Sequence, residues 1–230
     1  MQFIAMIALA FGCCVAANAA VNAAARKERR RALGLTALAS ACYVGVGAIG
    51  AAGCWYTRFG YLVLGGLCCG FVGDVLLGLR RVYPNRFGLF FGGGSAFFAV
   101  GHGLYIAALL SFTMKALYVA VPYAAAGLLL SALYLKRQKV RAGGCLPPGI
   151  LSMALALFMA GCAAGCAVFA FSPGTVLFAI GGLFFAVSDG LLLADDFGAH
   201  RSDDRSRVLH ILYYSAQIFF GFSLILLFVL

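Results

Sequence analysis

The sequence predicts an all-α fold, a polytopic transmembrane helical bundle of about eight helices forming a single domain over residues 1–230. Three observations carry that reading. Hydrophobic residues make up 64% of the chain and charged residues only 10%, with a mean hydropathy of +1.01, outside the range of soluble domains. Eight apolar runs each reach the roughly 20 residues needed to cross a hydrocarbon core. All but two of the 17 Lys and Arg residues, Arg58 and Lys115, fall in the connections after the first, third, fifth and seventh runs.

The first run, near 1–25, ends in "AANAAVNAAA" before "RKERR". Its start lacks the positive residues of a secretory signal and its charges follow the apolar stretch, so it reads as a retained helix. Asn18 and Asn22, one turn apart on it, read as polar contacts to neighbouring helices. The second run lies near 32–54 and the third, carrying "GDVLL", near 58–79. Glycines at 92–94 in the fourth run, near 89–113, and at 181–182 in the seventh, near 174–194, allow close helix approach. The fifth run, near 115–135, follows so soon after Phe112 that helices four and five must form a tight hairpin. The sixth and eighth runs lie near 149–172 and 208–230.

By the positive-inside rule, the Lys- and Arg-rich odd connections are cytoplasmic and both termini lie outside. The membrane expected is the endoplasmic reticulum or another endomembrane in a eukaryote, or the inner membrane in a bacterium. The net charge of +10 does not point to nucleic acid, because the basic residues form short clusters rather than a face interleaved with aromatics. The nine cysteines read as packing residues. Cys145 is the one candidate for acylation, and no Cys/His spacing matches a structural zinc site. Nothing in the sequence sets an oligomeric state.

Five of the seven acidic residues, Glu28, Asp195, Asp196, Asp203 and Asp204, fall in connections. Asp74 and Asp189 fall inside apolar runs, where a charge near a helix centre costs about 2.5–3.5 kcal/mol, so each needs a reason. Asp74 precedes Arg80 as Asp189 precedes Asp195, by six residues. Both carboxyls therefore lie about 9 Å inside the same boundary. "GDVLL" at 73–77 and "SDGLL" at 188–192 also match, and each is followed by His-x-x-Tyr: His102 with Tyr105, then His210 with Tyr213. A four-plus-four internal repeat in one orientation would account for these pairs.

On the eighth run, His210, Tyr213, Tyr214 and Gln217 fall at i, i+3, i+4 and i+7, one polar stripe on an apolar helix. Ser95, His102 and Tyr105 share a face of the fourth. Polar stripes in a bilayer turn inward, either to hold helices together or to line a site.

Gly-Asp-x-Leu-Leu, His-x-x-Tyr, Ser-Asp-x-Leu-Leu and Tyr-Tyr-x-Ala-Gln on helices three, four, seven and eight resemble the YhhN-like family of integral membrane proteins, which includes the animal lysoplasmalogenases. The recognisable motifs occupy residues 65–109 and 181–221. A Lys-Pro common in the family near the start of helix two is replaced here by "RRRALGL".

The resemblance implies hydrolysis of the vinyl ether bond of a lysoplasmalogen, a lysophospholipid, to a fatty aldehyde and glycerophosphocholine or glycerophosphoethanolamine. Such chemistry needs a proton donor, a group that tolerates an oxocarbenium ion, and no cofactor. Paired carboxyls in a poorly hydrated pocket can divide those duties, as in glycosidases. Asp74 and Asp189 are the expected catalytic pair. His102, Tyr105, His210, Tyr213, Tyr214 and Gln217 are expected to position water or the carboxyls. Arg80, Arg81 and Arg86 are expected to hold the phosphate head group. Two rival readings use the same residues: a proton-coupled transporter, and a metal-dependent lipid hydrolase with Asp74, Asp189, His102 and His210 as ligands.

Overall fold

The computed structural model describes residues 2–54, 56–140, 146–199 and 202–227. Cys145, the acylation candidate, and the last residues of the eighth run lie outside them. The chain forms eight α-helices: α1 Gln2–Ala25, α2 Arg29–Gly53, α3 Thr57–Val82, α4 Phe87–Phe112, α5 Leu117–Arg137, α6 Leu146–Phe169, α7 Pro173–Phe197 and α8 Asp203–Leu226. No strand occurs among the described residues, and all eight helices are long and apolar enough to cross a membrane, which makes this a multi-pass membrane protein.

Most boundaries sit within three residues of the apolar runs, and the departures have local causes. Helix α8 begins at Asp203 rather than near 208 because Ser202 accepts a hydrogen bond from the Arg205 backbone N–H and caps the first turn. Helix α6 ends at Phe169 because Ser172-Pro173 cannot continue it. Ser172 instead opens α7 with a reciprocal cap, its hydroxyl accepting from the Thr175 N–H while the Thr175 hydroxyl accepts from its own. A single turn at Met114–Ala116 makes the tight connection between α4 and α5.

Helices α2, α3, α4, α6, α7 and α8 pack in that order into a closed ring, since α4 meets α6 and α8 returns to α2. Helix α1 lies outside the ring across the α2–α8 seam, and α5 lies outside against α6. The pattern has an internal correspondence: α3 packs on α4 as α7 packs on α8, and the α2–α8 seam matches the α6–α4 seam. In such a ring α3 and α7, the helices carrying Asp74 and Asp189, stand opposite each other. The outer faces of α1 and α5 expose Ile4, Phe11, Tyr118, Leu129 and Leu130, as lipid contact requires.

Glycine sets how closely some of these helices approach. A Cβ at Gly165 of α6 would lie 2.6 Å from both the Cα and the carbonyl oxygen of Ala116, and one at Gly161, one turn earlier, 2.7 Å from the Cα of Ala120. Small residues four apart on both partners thus bring two backbones together. Gly165→Ala is expected to cost about 1–3 kcal/mol, seen as a lower thermal unfolding midpoint in detergent. An unchanged midpoint would mean that this contact has slack.

At the end of the bundle that carries the basic connections, the α5–α6 and α7–α8 turns are latched together. Arg205 donates to the Gln138 side chain at 2.9 Å and pairs with Asp195 at 3.4 Å, while the Ala199 backbone N–H donates to the Gln138 carbonyl at 3.0 Å. Nearby, Arg80 of α3 reaches across to Asp196 at the end of α7, with an N···O distance of 2.7 Å. Its guanidinium lies 5.9 Å from the centre of the Phe87 ring and 5.4 Å from that of Phe91.

Candidate active site

Asp74 and Asp189 line one cavity of about 70 Å³ inside the ring, between α3 and α7. That is room for a few waters or one small reacting group. Both acids are buried, with 8% and 7% of their surface exposed, so each depends on protein partners as well as on whatever fills the cavity.

Those partners come from two helices, α2 and α6, on which the sequence marks no functional residue. Ser40 of α2 donates to Asp74 Oδ2 at 2.6 Å, and Tyr43 donates to the same oxygen at 3.0 Å. Across the ring, Ser152 of α6 donates to Asp189 Oδ2 at 3.3 Å. The arrangement repeats: a serine on the second helix of each four-helix half meets the aspartate on the third. Tyr43 has no such counterpart. A signal for these residues was available, because Thr36, Ser40 and Tyr43 lie on one face of an otherwise apolar α2, the same criterion that singled out the stripe on α8.

The stripe on α8 divides by depth. His210, Tyr213 and Tyr214 line the cavity. Gln217 lies beyond it, donating to the Tyr213 hydroxyl at 2.8 Å and accepting from Tyr105 at 3.3 Å. The Tyr213 and Tyr43 hydroxyls are 3.4 Å apart. A buried chain of polar groups therefore runs from Tyr105 through Gln217, Tyr213 and Tyr43 to Asp74, and holds that carboxyl in place. Tyr105 and Gln217 lie along this chain rather than at the cavity wall.

His102 does not reach the cavity. The α4 residue there is Phe98, one turn earlier, while the His102 ring meets Phe185 edge-on at 4.7 Å. Neither of its ring nitrogens has a hydrogen-bond partner among the described residues. The two His-x-x-Tyr motifs thus match in sequence but not in surroundings, since His210 lines the cavity and shares a 2.6 Å contact between Nδ1 and the Ser206 carbonyl. This also separates the four residues that a metal reading requires, and no cluster of three or more His, Cys, Asp or Glu placed to hold a metal occurs among the described residues.

The arginines divide as well. Arg80 and Arg81 line both the acid cavity and a larger neighbouring chamber of about 560 Å³ at the basic end. Arg80 is committed to Asp196 there, and Arg86 lies exposed on the turn Pro84–Arg86, not among the residues lining either space. Lys27, Arg29 and Arg207, which the sequence reading did not single out, complete the basic wall of the chamber. Asn18 and Asn22 are exposed on α1, and Asn18 lies on the wall of a groove between α1 and α8. The arrangement offers two carboxyls to one small group, beside a basic chamber suited to an anionic head group.

The family model that matches the chain is that of the YhhN family, over residues 31–224. No curated protein and no solved structure shows detectable similarity to it.

Proposed function

The chain belongs to the YhhN family, and from that membership we propose that it is a lysoplasmalogenase-like hydrolase. It cleaves the vinyl ether bond of a lysoplasmalogen to a fatty aldehyde and glycerophosphocholine or glycerophosphoethanolamine. The observation that carries this reading is the convergence of Asp74 and Asp189 on one small cavity that adjoins the basic chamber.

In the proposed reaction one carboxyl gives its proton to the β-carbon of the vinyl ether, leaving an oxocarbenium ion. Water adds to the cationic carbon and returns a proton to that carboxylate. The resulting hemiacetal collapses to the aldehyde and the free glycerol hydroxyl, so one water is consumed and the acid is regenerated. Asp74, which accepts hydrogen bonds from both Ser40 and Tyr43, is suited to remain an anion beside the cation. Asp189, with the weaker Ser152 contact, is suited to donate. Arg81, Lys27, Arg29 and Arg207 would hold the phosphate in the chamber.

The test is a product assay. Purified protein in detergent is expected to release aldehyde from lysoplasmenylcholine or lysoplasmenylethanolamine. Uptake of the lipid into proteoliposomes without aldehyde would replace the hydrolase with a carrier.

A further inference from the structure

A third space, of about 170 Å³, opens between α1 and α8 on the outside of the ring. Its walls are mainly apolar, with Cys14, Ala17 and Val21 from α1 and Ile211 and Tyr214 from α8, and with Asn18 and Ser215 as polar residues among them. It is not isolated. His210 and Tyr214 also line the acid cavity, and Val21, Arg207 and His210 also line the basic chamber. Three spaces of different chemistry therefore meet at His210: a cationic chamber, a site with two carboxyls, and an apolar groove open to the surroundings of the bundle.

We propose that the groove between α1 and α8 is the binding site for the hydrocarbon chain of a lysolipid whose head group lies in the basic chamber, and that it opens sideways into the bilayer. The inference rests on the hydrolase reading only for the identity of the bond placed at the acids. The three spaces that meet at His210 offer one environment to each part of a single-chain lipid: the chamber to the phosphate, the acid cavity to the linkage and the groove to the tail. Along α1 the groove extends from Val21 to Cys14, about 10 Å, so it holds the first part of a chain and releases the rest among the lipids. Tyr214 stands where groove and cavity meet, with its ring 5.1 Å from that of Tyr213 and 6.4 Å from that of His210. A chain reaching the acids from the groove must pass this aromatic pair. Arg207, at the chamber end of the groove, would anchor the phosphate there.

The experiment uses the full-length protein in lipid nanodiscs and a non-hydrolysable alkyl-ether lysophosphocholine carrying a diazirine on its chain. Cross-links are expected within 14–21 of α1 and 211–215 of α8, and unlabelled alkyl lysophosphocholine should compete them away. Label on other helices, or label that a diacyl phospholipid displaces equally well, would make the groove ordinary lipid contact and overturn the proposal. With vinyl ether substrates, Ile211→Trp is expected to lower the ratio of kcat/KM for a long chain over a short one by about tenfold or more. Ala17→Trp should do the same if it folds, and an unchanged ratio in a folded Ile211→Trp protein counts against the groove. Correct cross-links without aldehyde release would overturn the hydrolase and leave the groove standing, whereas aldehyde release with label elsewhere would do the reverse.

Discussion

Asp74→Asn and Asp189→Asn are each expected to lower kcat for aldehyde release by about 10²–10⁴ while leaving the bundle folded. Asn has the size of Asp, and at position 74 its carbonyl can still accept from Ser40 and Tyr43, so the local geometry survives. What is lost differs. At 189 the amide has no proton acidic enough to give to carbon, and at 74 it brings no negative charge to a developing cation. Because the two acids act on one intermediate, the double variant should be little worse than the poorer single one. Elution from a sizing column and the thermal midpoint report folding alongside turnover. Full activity in both folded variants would remove the acid pair from the mechanism.

Asp196→Ala is expected to destabilise the protein by about 3–5 kcal/mol. The side chains of Arg80 and Asp196 are 2% and 8% exposed and lie 2.7 Å apart. Removing the carboxylate takes a 2.7 Å ion-pair partner from a buried guanidinium that also lies against the Phe87 and Phe91 rings, and a buried charge loses far more than an exposed one when such a partner goes. The thermal midpoint in detergent measures this. The double variant Arg80→Leu with Asp196→Ala should recover part of the loss, because no charge is then left to solvate. A single variant as stable as the parent would mean that the pair contributes little to joining α3 and α7.

The helices were legible in the sequence because apolar length alone suffices to span a bilayer, and the two acids stood out because so little else in those runs is polar. Their meeting was suggested by matching depth, which fixes height along the membrane but not direction around each helix. His102 shows the difference: one turn beyond Phe98 on α4, it turns toward Phe185 instead of the cavity. Arg86 shows another, since nearness along the chain placed it beside Asp74 while a turn carries it out to the surface. Ser40 and Tyr43 were missed for the opposite reason. Hydroxyls cost little in an apolar helix, so they did not demand an explanation as a carboxyl does. The basic wall of the chamber was obscured because Lys27, Arg29 and Arg207 look like ordinary boundary charges until the turns bring them together.

The seam between α2 and α8 is narrow where Gly50 faces Gly221: a Cβ on Gly50 would lie 2.6 Å from the Gly221 carbonyl oxygen. Helix α2 carries the donors that hold one carboxyl, and α8 carries the aromatic wall above it. A bulky residue at that crossing, far from any reacting atom, would wedge the two helices apart and misalign the whole reaction centre. Variants that silence such a protein need not touch its acids; they can act as spacers in its frame.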